Sequence, residues 1–134
     1  MVRQVRLKRQ TKYHVDTSHV GKAARTVDGI TFASKAEARR YEVLRARERV
    51  GEIQNLELQP QFALLSPFEC RDERISGIRY TADFRYLEGG EVVVEEVKGR
   101  ETRDFVLRRK LFLKRYGEQY RYKLVPSAQV LTYR

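Results

Sequence analysis

The chain of 134 residues has little of what marks secreted and membrane proteins. Its one cysteine, Cys70, cannot form an internal disulfide, so we expect a reducing, cytoplasmic setting. No segment approaches the roughly 20 apolar residues that a membrane helix needs. The N-terminus, where Val5 and Leu7 stand among arginines and lysines, is too polar for a signal peptide. The two histidines, His14 and His19, have a spacing that fits no metal motif, so we interpret them as ordinary surface residues.

Acidic residues are also scarce beside basic ones, and the net charge is +10. Residues 1–27 hold seven basic side chains and one acid, and residues 99–116 hold seven basic side chains and two acids. Such clusters suit a polyanion, with nucleic acid favoured over an anionic membrane; a plain solubility role is the alternative. The candidate DNA-binding residues are Arg3, Arg6, Lys8, Arg9, Lys110 and Lys114. The last two are one helical turn apart and could equally be solvated.

The length is that of a single domain, residues 1–134, in which residues 1–23 form a basic arm without clear periodicity. The order of the remaining elements predicts a mixed α/β fold in which one sheet is flanked by helices. The predicted elements are a small hairpin at 26–32 with an Asp28-Gly29 turn, a helix from Ser34 to about Val50, a strand at 56–65 in which Pro60 favours an edge position or a bulge, a polar loop at 66–77, a hairpin at 78–98, a helix at 103–116 between Thr102 and Gly117, and a strand at 120–126.

The hairpin at 78–98 is the most informative part of the chain. Two β-rich runs, Ile78 to Leu87 and Glu91 to Lys98, are joined by Gly89-Gly90, and glycine accepts the positive φ that a two-residue turn requires. This turn sets the register, which places Asp83 opposite Glu96 on one face of the sheet. Directly opposed like charges are destabilising, so this pairing makes sense if a divalent cation lies between the two carboxylates.

The same register places Thr81 opposite Lys98, on the face that carries the two acids. Mg²⁺ takes oxygen ligands, often one or two carboxylates with water and substrate phosphate, and Asp83, Glu96 and the carbonyl of Val97 could supply them. A bound cation would polarise a phosphate and lower the pKa of a bound water. Lys98 is placed to orient that water or to neutralise charge that develops on the phosphate. The alternative is a solvated strand face on which Glu96 and Lys98 pair weakly.

Glu37 is a further candidate with two interpretations. Ser34 to Glu37 matches a capping box, which accounts for this glutamate without any chemistry. Helical spacing, however, places Glu37 on one stripe with Tyr41 and Leu44, which would point its carboxylate toward the sheet. Glu95 alternates to the face opposite Glu96, so we leave it out of the site.

With these residues in view, the chain resembles the PD-(D/E)xK nuclease superfamily. Its members share a helical glutamate, an acid on one strand and an acid-x-lysine on the next, around a metal; here these would be Glu37, Asp83 and Glu96-Val97-Lys98. Ala82 stands where the superfamily's name has a proline, a position that varies. Within the superfamily the chain resembles small phage proteins related to archaeal-type Holliday junction resolvases. The matching segments are DGITFASKAEARRYEVL, GEIQNLELQPQF, YTADFRY, VVVEEVKG and the run from Thr102 to Lys110.

This resemblance implies a restriction-endonuclease-like core and an Mg²⁺-dependent endodeoxyribonuclease, with Mn²⁺ as a substitute, that resolves four-way DNA junctions by phosphodiester hydrolysis. It implies branched double-stranded DNA as the partner, the cytoplasm of a host cell as the location if the chain is phage-encoded, and a homodimer, since two symmetric cuts need two active sites. Its catalytic residues would be Glu37, Asp83, Glu96 and Lys98. A flap, nicking or restriction-like nuclease, and a basic DNA-binding protein without catalysis, remain as alternatives.

Overall fold

The computed structural model describes residues 16–134. Arg3, Arg6, Lys8 and Arg9, four of the predicted DNA-binding residues, lie outside the described residues, as does His14. The elements are α1 (His19–Ala24), β1 (Thr26–Val27), β2 (Ile30–Thr31), α2 (Lys35–Arg49), β3 (Gln54–Leu58), β4 (Gln61–Leu65), β5 (Phe68–Cys70), β6 (Glu73–Ile75), β7 (Ile78–Thr81), β8 (Phe84–Glu88), β9 (Glu91–Lys98), α3 (Arg103–Tyr116), β10 (Arg121–Pro126) and a short 3-10 helix (Ser127–Gln129).

The centre of the fold is a four-stranded mixed sheet in the order β10-β9-β8-β3. β9 runs parallel to β10, through the crossover helix α3, and antiparallel to β8, which is antiparallel to β3. Alternate residues of β9 face opposite sides: Val93 packs in the cluster that includes Leu44 of α2, and Val94 packs in the cluster that includes Phe112 of α3. The prediction of a mixed α/β fold with a sheet flanked by helices is therefore confirmed. Within residues 16–134, no helix is long and apolar enough to cross a membrane.

The local signals for caps and turns are also confirmed. The Ser34 hydroxyl accepts a hydrogen bond from the Glu37 N–H at 3.1 Å, and the Thr102 hydroxyl accepts one from the Phe105 N–H at 3.1 Å. The 89–90 turn has φ of 58° and 80°, as a type I′ hairpin requires. The register follows from it, with β8 and β9 paired from Glu88 opposite Glu91 to Phe84 opposite Glu95.

The prediction that Ile78 to Leu87 forms one strand is wrong. The chain bends at Ala82-Asp83, and β7 pairs with β4, so that Thr81 lies opposite Gln61 and not opposite Lys98. The ladder between β8 and β9 ends at Phe84, so Asp83 is not the ladder partner of Glu96; its N–H instead donates to the carbonyl of Glu95 at 3.1 Å.

The reason lies in a matching bend on the neighbouring strand. The predicted strand at 56–65 is divided at Gln59-Pro60 into β3 and β4, with Gln59 at a φ of 50°. Two hydrogen bonds join the bends: the Gln59 N–H donates to the Asp83 carbonyl at 2.9 Å, and the Ala82 N–H donates to the Pro60 carbonyl at 3.1 Å. Both strands therefore leave the sheet together, as a ribbon formed by residues 61–81.

Two further segments differ from the prediction. The ribbon continues into the β5–β6 hairpin, so residues 66–77 are not simply a polar loop. The last residues of the predicted arm form α1, which Ser18 caps by accepting a hydrogen bond from the Gly21 N–H at 3.1 Å. Capped short helices of this kind have too few residues to show a helical period in the sequence.

A buried ion pair holds α2 against β9. The Arg40 and Glu95 side chains are both fully buried and share two hydrogen bonds, one of them 3.2 Å from Nη2 to Oε2. The Tyr86 hydroxyl donates to Oε2 of Glu95 at 2.6 Å. Arg40 also donates to the carbonyls of Val130 and Tyr133, at 3.0 and 2.9 Å. One guanidinium thus joins the helix, the central strand and the C-terminal segment.

We expect Glu95→Gln to lower the free energy of unfolding by about 3–5 kcal/mol, because it leaves Arg40 as a buried charge without a counter-ion. The measurement is urea unfolding at neutral pH. The matched control is Glu91→Gln on the same strand, where Glu91 and Arg121 are 3.9 Å apart and more than half exposed; its cost should stay below about 1 kcal/mol. Equal losses in the free energy of unfolding for the two variants would show that the buried ion pair is not the main interaction that holds α2 against β9.

Candidate active site

Three elements converge where the central sheet ends. Asp83 immediately precedes β8, Glu96 and Lys98 lie at the end of β9, and Glu37 lies in the first turn of α2. The charge of Glu37 acts on the pKa of both Asp83 and Glu96, and Lys98 acts on all three carboxyls. The four residues singled out in the sequence therefore lie together, although the ladder pairing predicted for Asp83 does not form.

Asp83 reaches β9 by its side chain rather than by strand pairing. Its Oδ2 accepts a hydrogen bond from the Val97 N–H at 2.7 Å. This contact is possible because β8 has ended and leaves that N–H without a strand partner. The N–H and C=O of one strand residue point to the same side, so the Val97 carbonyl also faces the side of β9 on which Asp83 lies.

The Glu96 carboxylate accepts a hydrogen bond from a buried tyrosine that is not among the predicted site residues. Glu96 is 7% exposed, and its Oε2 accepts a hydrogen bond from the Tyr80 hydroxyl at 2.8 Å. The Tyr122 hydroxyl lies 3.0 Å from that of Tyr80. Burial, and then the charge of Glu96, raises the pKa of Tyr80, so its hydroxyl remains a donor. Tyr80 is buried, and no sequence pattern reveals where the hydroxyl of a core tyrosine points.

Lys98 is fixed by contacts on two sides. Its Nζ lies 3.9 Å from Oε1 of Glu96 and 4.2 Å from the centroid of the Phe105 ring, the geometry of a cation–π contact. Phe105 belongs to the first turn of α3, whose N-cap is Thr102. The start of this helix therefore positions the lysine beside the acid.

Burial and repulsion between the carboxylates raise the pKa values of the three acids in this cluster. The pKa of Asp83 is raised to about 9, mainly by burial and then by the charges of Glu96 and Glu37. The pKa of Glu96 is raised to about 7, again mainly by burial, while the Tyr80 hydrogen bond and Lys98 oppose the shift. Burial also raises the pKa of Glu37, against hydrogen bonds from Ala33 and Ser34. Fully ionised, three carboxylates would share one ammonium group, which leaves an excess of negative charge.

The chemistry of the oxygen atoms in the site fits a hard divalent cation, but their positions restrict how many of them can bind it at once. Carboxylate and carbonyl oxygens from Asp83, Glu96, Val97 and Glu37 are the ligand type that Mg²⁺ and Mn²⁺ take. In the described part of the chain, no group of three or more His, Cys, Asp or Glu side chains is arranged so that it could hold a metal ion. The fit is therefore to a cation held by one or two of these carboxylates, with water and substrate completing the shell, as is usual for Mg²⁺.

The remaining candidates lie elsewhere. Lys110 and Lys114 are exposed on α3 and make no described contact with the four-residue cluster. Glu95 points to the opposite face of β9 and pairs with Arg40, which agrees with its exclusion from the site. The residues that sequence reasoning missed beside Glu96 are Arg79 and Arg108, which line the same open cleft. Arg79 lies on β7 and Arg108 on α3, so no local spacing in the sequence connects the two.

Comparison with known proteins gives one result. The family model described as Protein of unknown function (DUF1064) matches residues 17–133, and the chain belongs to that family. No curated protein matches the chain, and no solved structure does.

The raised pKa values predict an unusual dependence of stability on pH. An acid whose pKa is higher in the fold than its ordinary value holds a proton that the unfolded chain has released, so stability decreases with pH between the two values. For Asp83 and Glu96 these intervals run from 3.8 to about 9 and from 4.5 to about 7. In EDTA, we therefore expect the free energy of unfolding from urea titrations to fall between about pH 5 and about pH 9.

Asp83→Asn should flatten this dependence, because the amide oxygen still accepts from the Val97 N–H but carries no charge. Glu69→Gln is the control, since Glu69 is exposed and 3.8 Å from Arg74; it should follow the native curve. An Asp83→Asn curve parallel to the native one would contradict the assigned cause.

Proposed function

We propose that this member of the DUF1064 family is a metal-dependent, structure-selective DNA endonuclease that resolves four-way junctions by phosphodiester hydrolysis. The observation that carries the proposal is the convergence of Glu37, Asp83, Glu96 and Lys98 at one end of the sheet, from three separate elements. Close carboxylates with too little positive charge around them are costly in a purely structural role, and a nuclease needs them to hold a cation.

Each residue has a role that its contacts support. One or two of the carboxylates of Asp83, Glu96 and Glu37, with the Val97 carbonyl and water, would hold Mg²⁺ or Mn²⁺, which when bound polarises the phosphate and lowers the pKa of a water. Tyr80 donates to Oε2 of Glu96, and among the described residues no hydrogen bond is donated to Oε1, which makes Oε1 the more accessible oxygen for coordination. Lys98, held on the ring of Phe105, is placed to neutralise charge that develops on the phosphate or to orient the attacking water.

The finer parts of the proposal rest on the resemblance. A restriction-endonuclease-like core is supported by the placement of the acids on α2, before β8 and on β9, with α3 then leading to the parallel strand β10. Four-way junctions as substrate, and a homodimer that cuts two strands, follow from the likeness to junction resolvases. The net charge of +10 supports binding to the phosphate backbone of DNA. Such contacts follow the shape of the DNA rather than its base sequence.

A DNA-binding protein without catalysis is the second candidate. It is favoured by the present side-chain positions, since no three of the described acids are arranged to hold a metal, and by the Tyr80 hydrogen bond, which partly satisfies Glu96 without one. In that case the carboxyls would remain protonated or share protons. Catalysis and metal binding separate the two candidates.

The test of catalysis compares a synthetic four-way junction, a flap and a linear duplex in Mg²⁺ and in Mn²⁺. We expect the junction to be cut fastest, and Asp83→Asn and Glu96→Gln each to slow cleavage by about 10²-fold or more, because each removes a charge that would hold the cation. Glu91→Gln, on the exposed end of β9, is the control. Equal cutting of all three substrates would favour another nuclease of this type. No cleavage in any condition, with no metal binding, would favour the second candidate.

Glu37→Gln separates the two interpretations of that residue. Glutamine serves as well as glutamate in a capping box, so this variant keeps the helix start and removes only the charge. We expect its stabilisation by Mn²⁺, measured as a thermal shift, to require about tenfold more metal. Ser18→Ala is the control for the loss of a cap, because Ser18 caps α1 and makes no described contact with the four-residue cluster. It should lower stability by about 1 kcal/mol and leave the concentration of Mn²⁺ required unchanged. If the Mn²⁺ concentration required is unchanged in Glu37→Gln, Glu37 is a helix-capping residue and not a metal ligand.

A further inference from the structure

Beside Glu96 an open cleft lies between β7 and the first turns of α3. Its lining includes three cations, Arg79, Lys98 and Arg108, and two acids, Glu96 and Asp104. Glu96 is buried, whereas Arg79 is exposed and Arg108 is partly exposed. The buried part of the cleft wall therefore contains the Glu96 carboxylate of the candidate site, and the more exposed part contains the two arginines.

The arginines have hydrogen-bond donors to spare. A guanidinium carries five N–H donors. In the part of the chain that the structure describes, Arg79 uses one, donating to Oε1 of Gln61 at 3.2 Å. Arg108 uses two, donating to Oδ2 of Asp104 at 2.9 Å and to the Arg79 carbonyl at 2.5 Å. The cleft thus has more donors than acceptors, which suits an anion with several oxygens.

The two walls of the cleft are fixed to each other. The bond from Arg108 to the Arg79 carbonyl joins α3 to β7, and Lys98 lies on Phe105 at the start of the same helix. The N-terminus of α3, a helix of 14 residues, adds the partial positive charge of its free amides on this side. The backbone of β7 and the side chains of Arg108 and Lys98 are thus held in place before an anion binds, which lowers the ordering cost of binding.

We propose that this cleft is a phosphate subsite, in which Arg79 and Arg108 bind a backbone phosphate of the nucleic acid next to the one at Glu96 and Lys98. The proposal rests on the nuclease function proposed above and adds to it the path of the strand, which would run between β7 and α3. It assigns these arginines to substrate positioning and not to the chemical step. It also assigns them a larger part in binding near the site than the exposed Lys110 and Lys114 of α3.

The experiment is binding of a fluorescently labelled four-way junction in EDTA, measured by anisotropy over a range of salt concentrations. Each phosphate contact contributes about 0.9 to the slope of log K against log salt. We expect Arg79→Ala and Arg108→Ala each to weaken binding several-fold and to reduce the slope, by about 1 in the double variant, since the two arginines share one phosphate. Arg79→Lys keeps the charge and should restore most of the slope. Because Arg79 is exposed, its variants should keep the native free energy of unfolding.

Arg121→Ala is the matched control. Arg121 is half exposed and pairs opposite Val93, five residues along β9 from Lys98, or roughly 17 Å from the site. It should keep the native slope. Native slopes in both Arg79→Ala and Arg108→Ala, or an equal loss in Arg121→Ala, would overturn the subsite while leaving junction cleavage intact. Native protein that neither binds nor cuts the junction would instead overturn the nuclease function.

Discussion

The buried pair between Arg40 and Glu95 is the interaction on which the candidate site depends. It fixes the rotation of α2 against β9, since both side chains are fully buried and joined by two hydrogen bonds. Glu37 lies about one helical turn before Arg40, and Glu96 directly follows Glu95. Once the pair is made, Glu37 is brought to the end of the sheet and Glu96 must point to the opposite face. The position of two candidate ligands is therefore a consequence of a contact in which neither takes part.

The second constraint is the pair of bends that ends the sheet beside the site. Had the ribbon of residues 61–81 remained in the sheet, the Val97 N–H would have bonded to a strand neighbour and Asp83 would have had no such donor. The bend frees that N–H for the Asp83 carboxylate. It also carries β7 toward α3, which brings Tyr80 to Glu96. A single change of direction thus gives the site both an acid and the tyrosine that orients the next one.

The sequence predicts the local parts of this arrangement better than the long-range ones. Ser34, Thr102 and the 89–90 turn act through neighbours within a few residues, so their patterns determine the helix starts and the hairpin register. Strand alternation likewise separates Glu95 from Glu96. The bend at Asp83 depends instead on hydrogen bonds to Gln59 and Pro60, more than 20 residues away. Pro60 indicates an edge position or a bulge in its own strand, but nothing local to residues 78–87 shows that this run must bend.

The two adjacent glutamates of β9 differ in how their negative charges are balanced. This difference bears on whether the candidate site needs a bound cation. Glu95 is buried and fully compensated: Arg40 is its counter-ion and Tyr86 a further donor. Glu96 is almost as buried, but among the described residues Tyr80 is its one close donor. The Lys98 ammonium is 3.9 Å away, beyond hydrogen-bond reach, and the charge of Glu37 opposes the ionisation of Glu96. Arg79 and Arg108 line the cleft beside Glu96, but their described hydrogen bonds go to other groups. Glu96 without a bonded counter-ion costs stability at neutral pH, and this cost supports the proposal that a bound cation and a phosphate backbone complete the balance of charge.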